Sequence, residues 1–96
     1  MKKMLIVSLL LALPVIATAQ PAKVAACGAC HGAKGDAPIA PNYPKLAGQN
    51  AAYIVSALQA YKKGDRKGGL AAVMTAQASG LSDAEMKEIA DFYAAQ

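Results

Sequence analysis

The chain has 96 residues, a length sufficient for one domain. Ten lysine and arginine side chains against six acidic ones give a formal net charge of +4. Two of the ten, Lys2 and Lys3, belong to a predicted leader, so the rest of the chain carries eight basic and six acidic side chains. This small excess argues against a general attraction to nucleic acid, and we expect no nucleic-acid partner.

The first nineteen residues have the pattern of a secretory signal peptide. Lys2 and Lys3 form a positive start, and an apolar run broken only by a serine extends from Met4 to Leu13. The small residues Ala17-Thr18-Ala19 suit a peptidase, which predicts cleavage before Gln20.

A membrane anchor is the alternative interpretation of this leader. Pro14 interrupts the apolar run well before the roughly 20 residues that a spanning helix needs. We therefore expect residues 1–19 to be removed and residues 20–96 to form one exported domain, associated with a membrane only through partners. That domain is rich in alanine and has few large apolar side chains, so a buried cofactor would supply missing core volume.

The first predicted helix carries the motif around which the chain is organised. Pro21 can occupy its first turn, and mostly good helix formers lead into Cys27-Gly28-Ala29-Cys30-His31. On a helical turn both thiols share one face, where they can form thioethers with the two vinyl groups of one porphyrin edge. The imidazole that follows then lies beside the iron. The motif predicts one covalently attached haem.

Three other arrangements would also use two neighbouring cysteines. Oxidising compartments favour a small-loop disulfide. A thioredoxin-like redox pair needs a βαβ unit, which this sequence lacks. A structural zinc site needs four ligands, but the chain has two cysteines and one histidine. Haem attachment is preferred because it also explains why the histidine directly follows the second cysteine.

Three prolines between Asp36 and Pro44 exclude a helix or a central strand there, and composition leaves open an ordered loop or a linker.

A second helix follows. Asn50 is a good N-cap, and the apolar side chains of this helix recur with helical spacing at Ile54, Leu58 and Tyr61. Gly64 can end it in the left-handed conformation.

After a polar turn, Leu70–Thr75 is predicted to begin as a short helical segment. This segment is expected to bring Met74 into a loop, and Ala76–Gly80 after it shows no clear pattern.

The last helix has the strongest start signal. Ser82 and Glu85 form a capping box, which predicts a helix from about Asp83. Leu81 and Met86 stand at the staple positions, and the predicted apolar stripe is Met86, Ile89, Ala90 and Tyr93. The predicted class is all-α.

Several segments together resemble a known family. Besides the cysteine motif, they are His31–Gly35, Tyr43–Gln49, Gly64–Arg66, Met74, Leu81–Asp83 and Ala90–Tyr93. In order and spacing the chain resembles the small bacterial class I cytochromes c, most closely the cytochrome c4 and c553 group. The resemblance implies three to four helices around one haem c, and electron transfer in the periplasm.

The resemblance also implies roles for individual residues. It places covalent haem attachment at Cys27 and Cys30 and the two iron ligands at His31 and Met74. Pro44 matches the family proline whose carbonyl accepts a hydrogen bond from the ligand imidazole. The other methionine outside the leader, at position 86, is explained by a core position in the last helix.

The roles of the basic side chains near the site follow less directly from the resemblance than those of the haem-binding residues. Arg66 is a candidate to approach a haem propionate, and its alternative is a solvated turn residue, since the neighbouring Lys67 could serve equally. A docking rim around the haem edge would use Lys34, Lys45, Lys62, Lys63 and Lys67, and for each of these lysines the alternative is an ordinary solvated surface position. Only seven residues precede Cys27 after the predicted cleavage, so we expect the first helix to contact the last one through Val24 alone.

Two protein ligands leave the iron no open position, so the resemblance implies a carrier and not an enzyme. Its partners are then a redox protein donor and a redox protein acceptor, and the chain is a monomer or a dimer. Two alternatives stay open: the haem subunit of a larger dehydrogenase or oxidase, and a protein that binds or reduces a small molecule after Met74 is displaced.

Overall fold

The computed structural model describes residues 2–12 and 20–96, and this part of the chain contains four α-helices and no strand. They are α1 (Val24–His31), α2 (Ala51–Lys63), α3 (Ala71–Ser79) and α4 (Asp83–Ala94). The all-α prediction is confirmed. Of the predicted leader, Leu13, Pro14 and the cleavage segment Ala17-Thr18-Ala19 lie outside the described residues.

None of the helices in the described ranges is long and apolar enough to cross a membrane. Helix α2 packs against both α3 and α4. The core draws on α1, α2, α3, the α3–α4 connection and most heavily α4, and its buried members are Val24, Ile54, Leu58, Ala78, Leu81, Met86, Ile89, Ala90 and Tyr93. The predicted stripe of α4 is therefore confirmed in full.

The ends of α2 follow the predicted signals. The Asn50 side chain accepts a hydrogen bond from the backbone N–H of Tyr53 at 3.1 Å, which satisfies one donor of the first turn. At the other end Gly64 adopts φ +76°, a left-handed conformation that costs little without a Cβ. Ile54 and Leu58 are buried and Tyr61 is half-buried, as their helical spacing predicts.

Helix α4 begins at Asp83, as its capping box predicts. The backbone N–H of Glu85 donates to the Ser82 hydroxyl at 3.1 Å, and the Ser82 N–H donates to the Glu85 carboxylate at 3.0 Å. Both donors would otherwise lack intrahelical partners. Leu81 and Met86, the two staple residues, are buried in the same core.

The prediction that Met74 lies in a loop was wrong, because this residue lies inside α3. The helix also extends through most of Ala76–Gly80, the segment without a clear pattern. Alanine has the highest helix propensity, and four of the nine residues of α3 are alanine. Helix α3 lacks the two sequence signals that predicted α2 and α4, a capping side chain and an apolar stripe. Leu70 at its N-cap makes no side-chain hydrogen bond, and Ala78 is its one buried residue.

Helix α1 begins at Val24, three residues after Pro21, which was expected in its first turn. Residues 21–23 form a turn instead, in which the backbone N–H of Val24 donates to the Pro21 carbonyl at 3.0 Å. Val24 is fully buried in the core. A second contact joins this region to α4, since the Lys23 ammonium lies 3.7 Å from the Glu85 carboxylate. The expectation that Val24 alone connects the first and last helices was therefore too narrow.

The segment between α1 and α2 is an ordered loop. The backbone N–H groups of Leu46 and Ala47 donate to the Gly35 carbonyl at 2.8 and 3.1 Å. Two residues on, the Gly48 N–H donates to the Tyr93 carbonyl of α4 at 2.9 Å. Gly35 adopts φ +72°, and a Cβ there would lie 2.7 Å from the Tyr93 ring, so this position requires glycine.

Candidate functional site

A cavity of about 430 Å³ lies among α1, α2, α3 and the loop that precedes α2. Its volume falls in the range of roughly 300–1,000 Å³ that is usual for cofactor sites. Every residue that the sequence analysis placed in the site lines this one cavity: Cys27, Cys30, His31, Pro44 and Met74.

His31 is the last residue of α1 and is almost completely buried. Its Nδ1 lies 2.7 Å from the Pro44 carbonyl oxygen. A carbonyl can only accept, so Nδ1 carries the proton and donates it. The neutral imidazole then has its lone pair on Nε2, which is buried and has no hydrogen-bond partner among the described residues. An unpartnered buried nitrogen lone pair in a cavity is suited to metal ligation.

The ring of Tyr43 meets the His31 ring edge-on, with centroids 6.1 Å apart. Together with the Pro44 carbonyl it fixes the plane of the imidazole. Sequence reasoning had not given Tyr43 a role, although it directly precedes Pro44.

Cys27 and Cys30 are half-buried free thiols on the same face of the short helix α1 as the cavity. The Cys27 thiol donates to the Lys23 carbonyl at 3.6 Å. Burial raises the pKa of this thiol, an effect only partly offset by hydrogen bonding. After Cys30 the chain turns back, because the Ile39 N–H donates to the Cys30 carbonyl at 3.0 Å.

The two methionines outside the leader have different surroundings. Met74 is half-buried on α3, packs against the core and lines the cavity. Met86 is fully buried within the core and is not part of the cavity wall. Of these two thioethers, only that of Met74 belongs to the same cavity as His31.

The cavity wall has an apolar part and a cationic part. Ile54, Leu58 and Ile89 supply apolar surface. The basic side chains that line it are Lys45, Arg66 and Lys67. The Arg66 guanidinium lies 4.6 Å from the centroid of the Tyr61 ring, a cation–π contact that holds this charge near the cavity.

Tyr61 was expected only as an apolar position of α2, so its contact with Arg66 was missed. The short spacing between Tyr61 and Arg66, on either side of the helix end at Gly64, could have indicated this contact. Lys62 differs from the other lysines of the expected docking rim, because its ammonium donates to the Leu81 carbonyl at 2.6 Å. That contact ties α2 to the start of α4.

These residues fit a covalently bound haem. Two thiols can form thioethers, an imidazole nitrogen and a methionine sulfur can ligate iron, and the cationic side chains suit carboxylates. Within residues 2–12 and 20–96, no three His, Cys, Asp or Glu side chains cluster closely enough to hold a metal ion by themselves. The donor set therefore matches a porphyrin-held iron better than a free metal ion.

The sequence matches the family model described as cytochrome c over residues 18–94. The chain belongs to the cytochrome c family. Its four helices are the all-α class I cytochrome c fold, and the Cys27-to-His31 motif indicates covalently bound haem c.

Relatives of this cytochrome c agree with the family assignment. Over 74 residues it is 50% identical to cytochrome c-554(548) of Halomonas halodenitrificans, covering 77% of this chain and 88% of that protein. It is 42% identical to cytochrome c4 of Stutzerimonas stutzeri over 105 residues, which cover 95% of this chain but 50% of that protein. The chain thus spans about half the length of that longer relative.

A third relative has a functional name. The chain is 38% identical over 73 residues to a protein of Thiomonas intermedia named thiosulfate dehydrogenase electron acceptor, covering 76% of this chain and 33% of that protein. Family and relatives together show a c-type cytochrome that transfers electrons, and such transfer requires redox partners.

Proposed function

We propose that this chain is an exported monohaem cytochrome c that carries single electrons between redox proteins in the periplasm and is not itself an enzyme. The proposal includes Cys27 and Cys30 as the thioether positions and His31 and Met74 as the two iron ligands. The observation that carries it is the buried, unpartnered Nε2 of His31 in a cavity that Met74 also lines.

When bound, the haem supplies one iron that accepts and releases a single electron. The chain's own residues determine how that iron is held. The Pro44 carbonyl keeps the His31 ring in one tautomer and raises the basicity of Nε2. The wall formed by Ile54, Leu58 and Ile89 excludes water and lowers the local polarity.

Two protein ligands leave no position for a substrate, which supports a carrier over a catalyst. The cationic side of the cavity, where Tyr61 holds Arg66, is suited to binding the haem carboxylates. The predicted leader at residues 1–19 supports export, with residues 20–96 as the mature domain.

Absorption spectroscopy of the purified protein tests this proposal. Mass spectrometry of the denatured chain should first show one added haem, no free thiol and an N-terminus at Gln20. The oxidised protein should then show a sulfur-to-iron band, and the reduced protein should not take up carbon monoxide. Ready uptake would reveal an open coordination position and contradict the carrier function.

A second candidate is the haem subunit of a larger dehydrogenase or oxidase. Exposed apolar side chains favour it: Ile39 beside Cys30 is 67% exposed, and Tyr53 at the cavity is 53% exposed. Such groups often mark a contact surface. Purification from the native host separates the two candidates, because a subunit elutes with an enzyme at constant ratio and a carrier elutes alone.

A further inference from the structure

Two consecutive residues of the loop between α1 and α2 contact the His31 ring in different ways. The Pro44 carbonyl oxygen lies 2.7 Å from Nδ1, and the Tyr43 ring stands at 80° to the imidazole with the two centroids 6.1 Å apart. Aromatic rings prefer such perpendicular arrangements at centroid distances of roughly 4.5–7 Å. The function proposed above uses the Pro44 contact but gives no reason for an aromatic residue at position 43.

The hydrogen bond to Pro44 does not by itself fix the plane of the imidazole. It directs the Nδ1–H bond of His31 at the carbonyl oxygen. Within the range that the His31 side-chain torsions allow, the ring can still turn about the line that joins these two atoms. Such a turn would change the angle to the Tyr43 ring and lose the perpendicular contact. The two contacts therefore restrict different rotations of one ring.

The backbone that carries the Tyr43 ring is itself restrained. The Tyr43 N–H donates to the Ala40 carbonyl at 3.1 Å. A residue that precedes proline is largely confined to extended backbone conformations, so Pro44 limits Tyr43 as well. The Tyr43 side chain is half-buried and lines the same cavity as His31. The loop thus presents this ring to the imidazole from a defined position.

An imidazole that ligates a haem iron is planar, so its angle about the Nε2–iron bond makes directions in the porphyrin plane unequal. We infer that Tyr43 is a positioning residue: its ring sets this angle for His31 and so determines the direction along which the ferric haem spreads its unpaired electron. The inference rests on the proposed ligation of iron by His31. Groups that contact a ligand histidine beyond the metal fix its orientation and alter the electronic properties of the site.

Proton NMR of the ferric protein with cyanide bound to the iron measures this angle. Cyanide at high concentration displaces a thioether from ferric iron. Because cyanide is linear, His31 is then the one axial ligand that distinguishes directions in the porphyrin plane, and the haem methyl resonances spread according to the imidazole angle. His31 is the single histidine of the chain, so its shifted ring protons identify the ligand.

Three variants separate the Tyr43 ring from its hydroxyl and from the cavity wall in general. Tyr43→Leu removes the ring and should narrow the spread of the methyl resonances, because His31 then occupies several angles. Tyr43→Phe keeps the ring and should retain the wild-type spread. Tyr53→Leu is the matched control and should also retain it, since Tyr53 lines the cavity but makes no ring contact with His31 among the described residues.

An unchanged spread in Tyr43→Leu would overturn the inference. A spread in Tyr43→Phe as narrow as that in Tyr43→Leu would also overturn it, because the hydroxyl would then set the angle. Equal narrowing in Tyr53→Leu would have the same consequence. If Tyr43→Leu does not fold, the wild-type protein decides: methyl shifts that vary linearly with inverse temperature support one fixed angle, and curved plots overturn the inference.

Failure of the proposed function gives a different result. A wild-type chain without added haem mass contradicts the attachment, and a cyanide complex in which no His31 ring proton is shifted contradicts the ligation. Shifted His31 protons together with an unchanged spread in Tyr43→Leu leave the ligation intact and remove only the role of Tyr43.

Discussion

At His31, one backbone contact determines which nitrogen is available. The Pro44 carbonyl accepts a hydrogen bond from the Nδ1–H group, so no side chain can be substituted to remove this constraint directly. A backbone acceptor also cannot ionise, so the acceptor of this hydrogen bond does not change with pH. Under the proposed function, this hydrogen bond orients His31 as an iron ligand.

Met74→Ala is expected to remove the sulfur-to-iron absorption, open the iron to carbon monoxide and lower the reduction potential, because Met74 supplies the methionine sulfur among the described residues that line the cavity. The control is Met86→Leu, which changes a fully buried core residue at nearly constant volume. It should cost less than about 1.5 kcal/mol and leave the spectrum unchanged. If the two variants exchange these phenotypes, Met74 is not the ligand.

Gly35→Ala is expected to destabilise the haem-bearing protein by about 2 kcal/mol or more, since an added Cβ would meet both the Tyr93 ring and the Ala47 backbone. Gly48→Ala is the matched control. Its φ of +73° nearly equals the +72° at Gly35, but the nearest atom is 3.6 Å away. It should cost about 1 kcal/mol from backbone strain alone. Equal losses in urea titrations would show that the close approach to Tyr93 is unimportant.

At the scale of the helices, the start of α4 depends on one hydroxyl. Ser82→Ala removes the acceptor for the Glu85 N–H and should cost about 1 kcal/mol of unfolding free energy. Ser56→Ala, at an exposed position inside α2, should stay within about 0.5 kcal/mol of wild type. Urea titration of both variants measures the difference.

The same cap predicts a response to acid. The pKa of Glu85 is lowered, chiefly by its hydrogen bond from the Ser82 backbone and further by Lys23. A lowered native pKa means that this contribution is complete above the unfolded value of 4.5 and is lost as pH falls through the native value. Glu85→Gln should therefore flatten the loss of stability between about pH 5 and pH 3. Glu88→Gln, on the exposed side of α4, should leave that loss unchanged.

The helices differ in how far the sequence predicts them. Helices α2 and α4 begin at side chains that cap them, and these local hydrogen bonds can be inferred from residue types at fixed spacing. Helix α3 has neither a cap nor an apolar stripe, so only its alanine content marks it. Its helical state depends on packing against α2, which local sequence does not encode.

For the whole molecule, we expect the chain to require its cofactor in order to fold. Among the described residues the core has nine buried apolar members, two of them alanine, and three of the nine, Ile54, Leu58 and Ile89, also line the cavity. Cofactor binding energy then becomes folding energy, as it does in small metal domains. Cys27→Ser with Cys30→Ser should lose most of the circular dichroism signal of the helices. Native helicity in a haem-free monomer of that variant would falsify this expectation.

The site was more predictable than its surroundings. Cys27, Cys30 and His31 are adjacent in sequence, so the short helix that contains them brings them together without tertiary information. The bond from the Gly48 N–H to the Tyr93 carbonyl, and the approach of the Tyr93 ring to Gly35, arise only when distant segments pack. Residue pairs of that kind have no fixed spacing from which they could be inferred.

The loop bonds described above also determine how slowly backbone protons are replaced by solvent. Leu46 and Ala47 donate to Gly35, and Gly48 donates to Tyr93 at the centre of the core. The Gly48 bond ends on the buried helix α4, and the Leu46 and Ala47 bonds close the loop onto Gly35, which lies against the Tyr93 ring. We therefore expect these loop amides to exchange mainly when this packing opens. In hydrogen-exchange measurements they should be as protected as the middle of α4, whereas the amides of the exposed residues Arg66 and Lys67 should exchange at once. A segment without regular secondary structure thus belongs to the most slowly exchanging part of the protein.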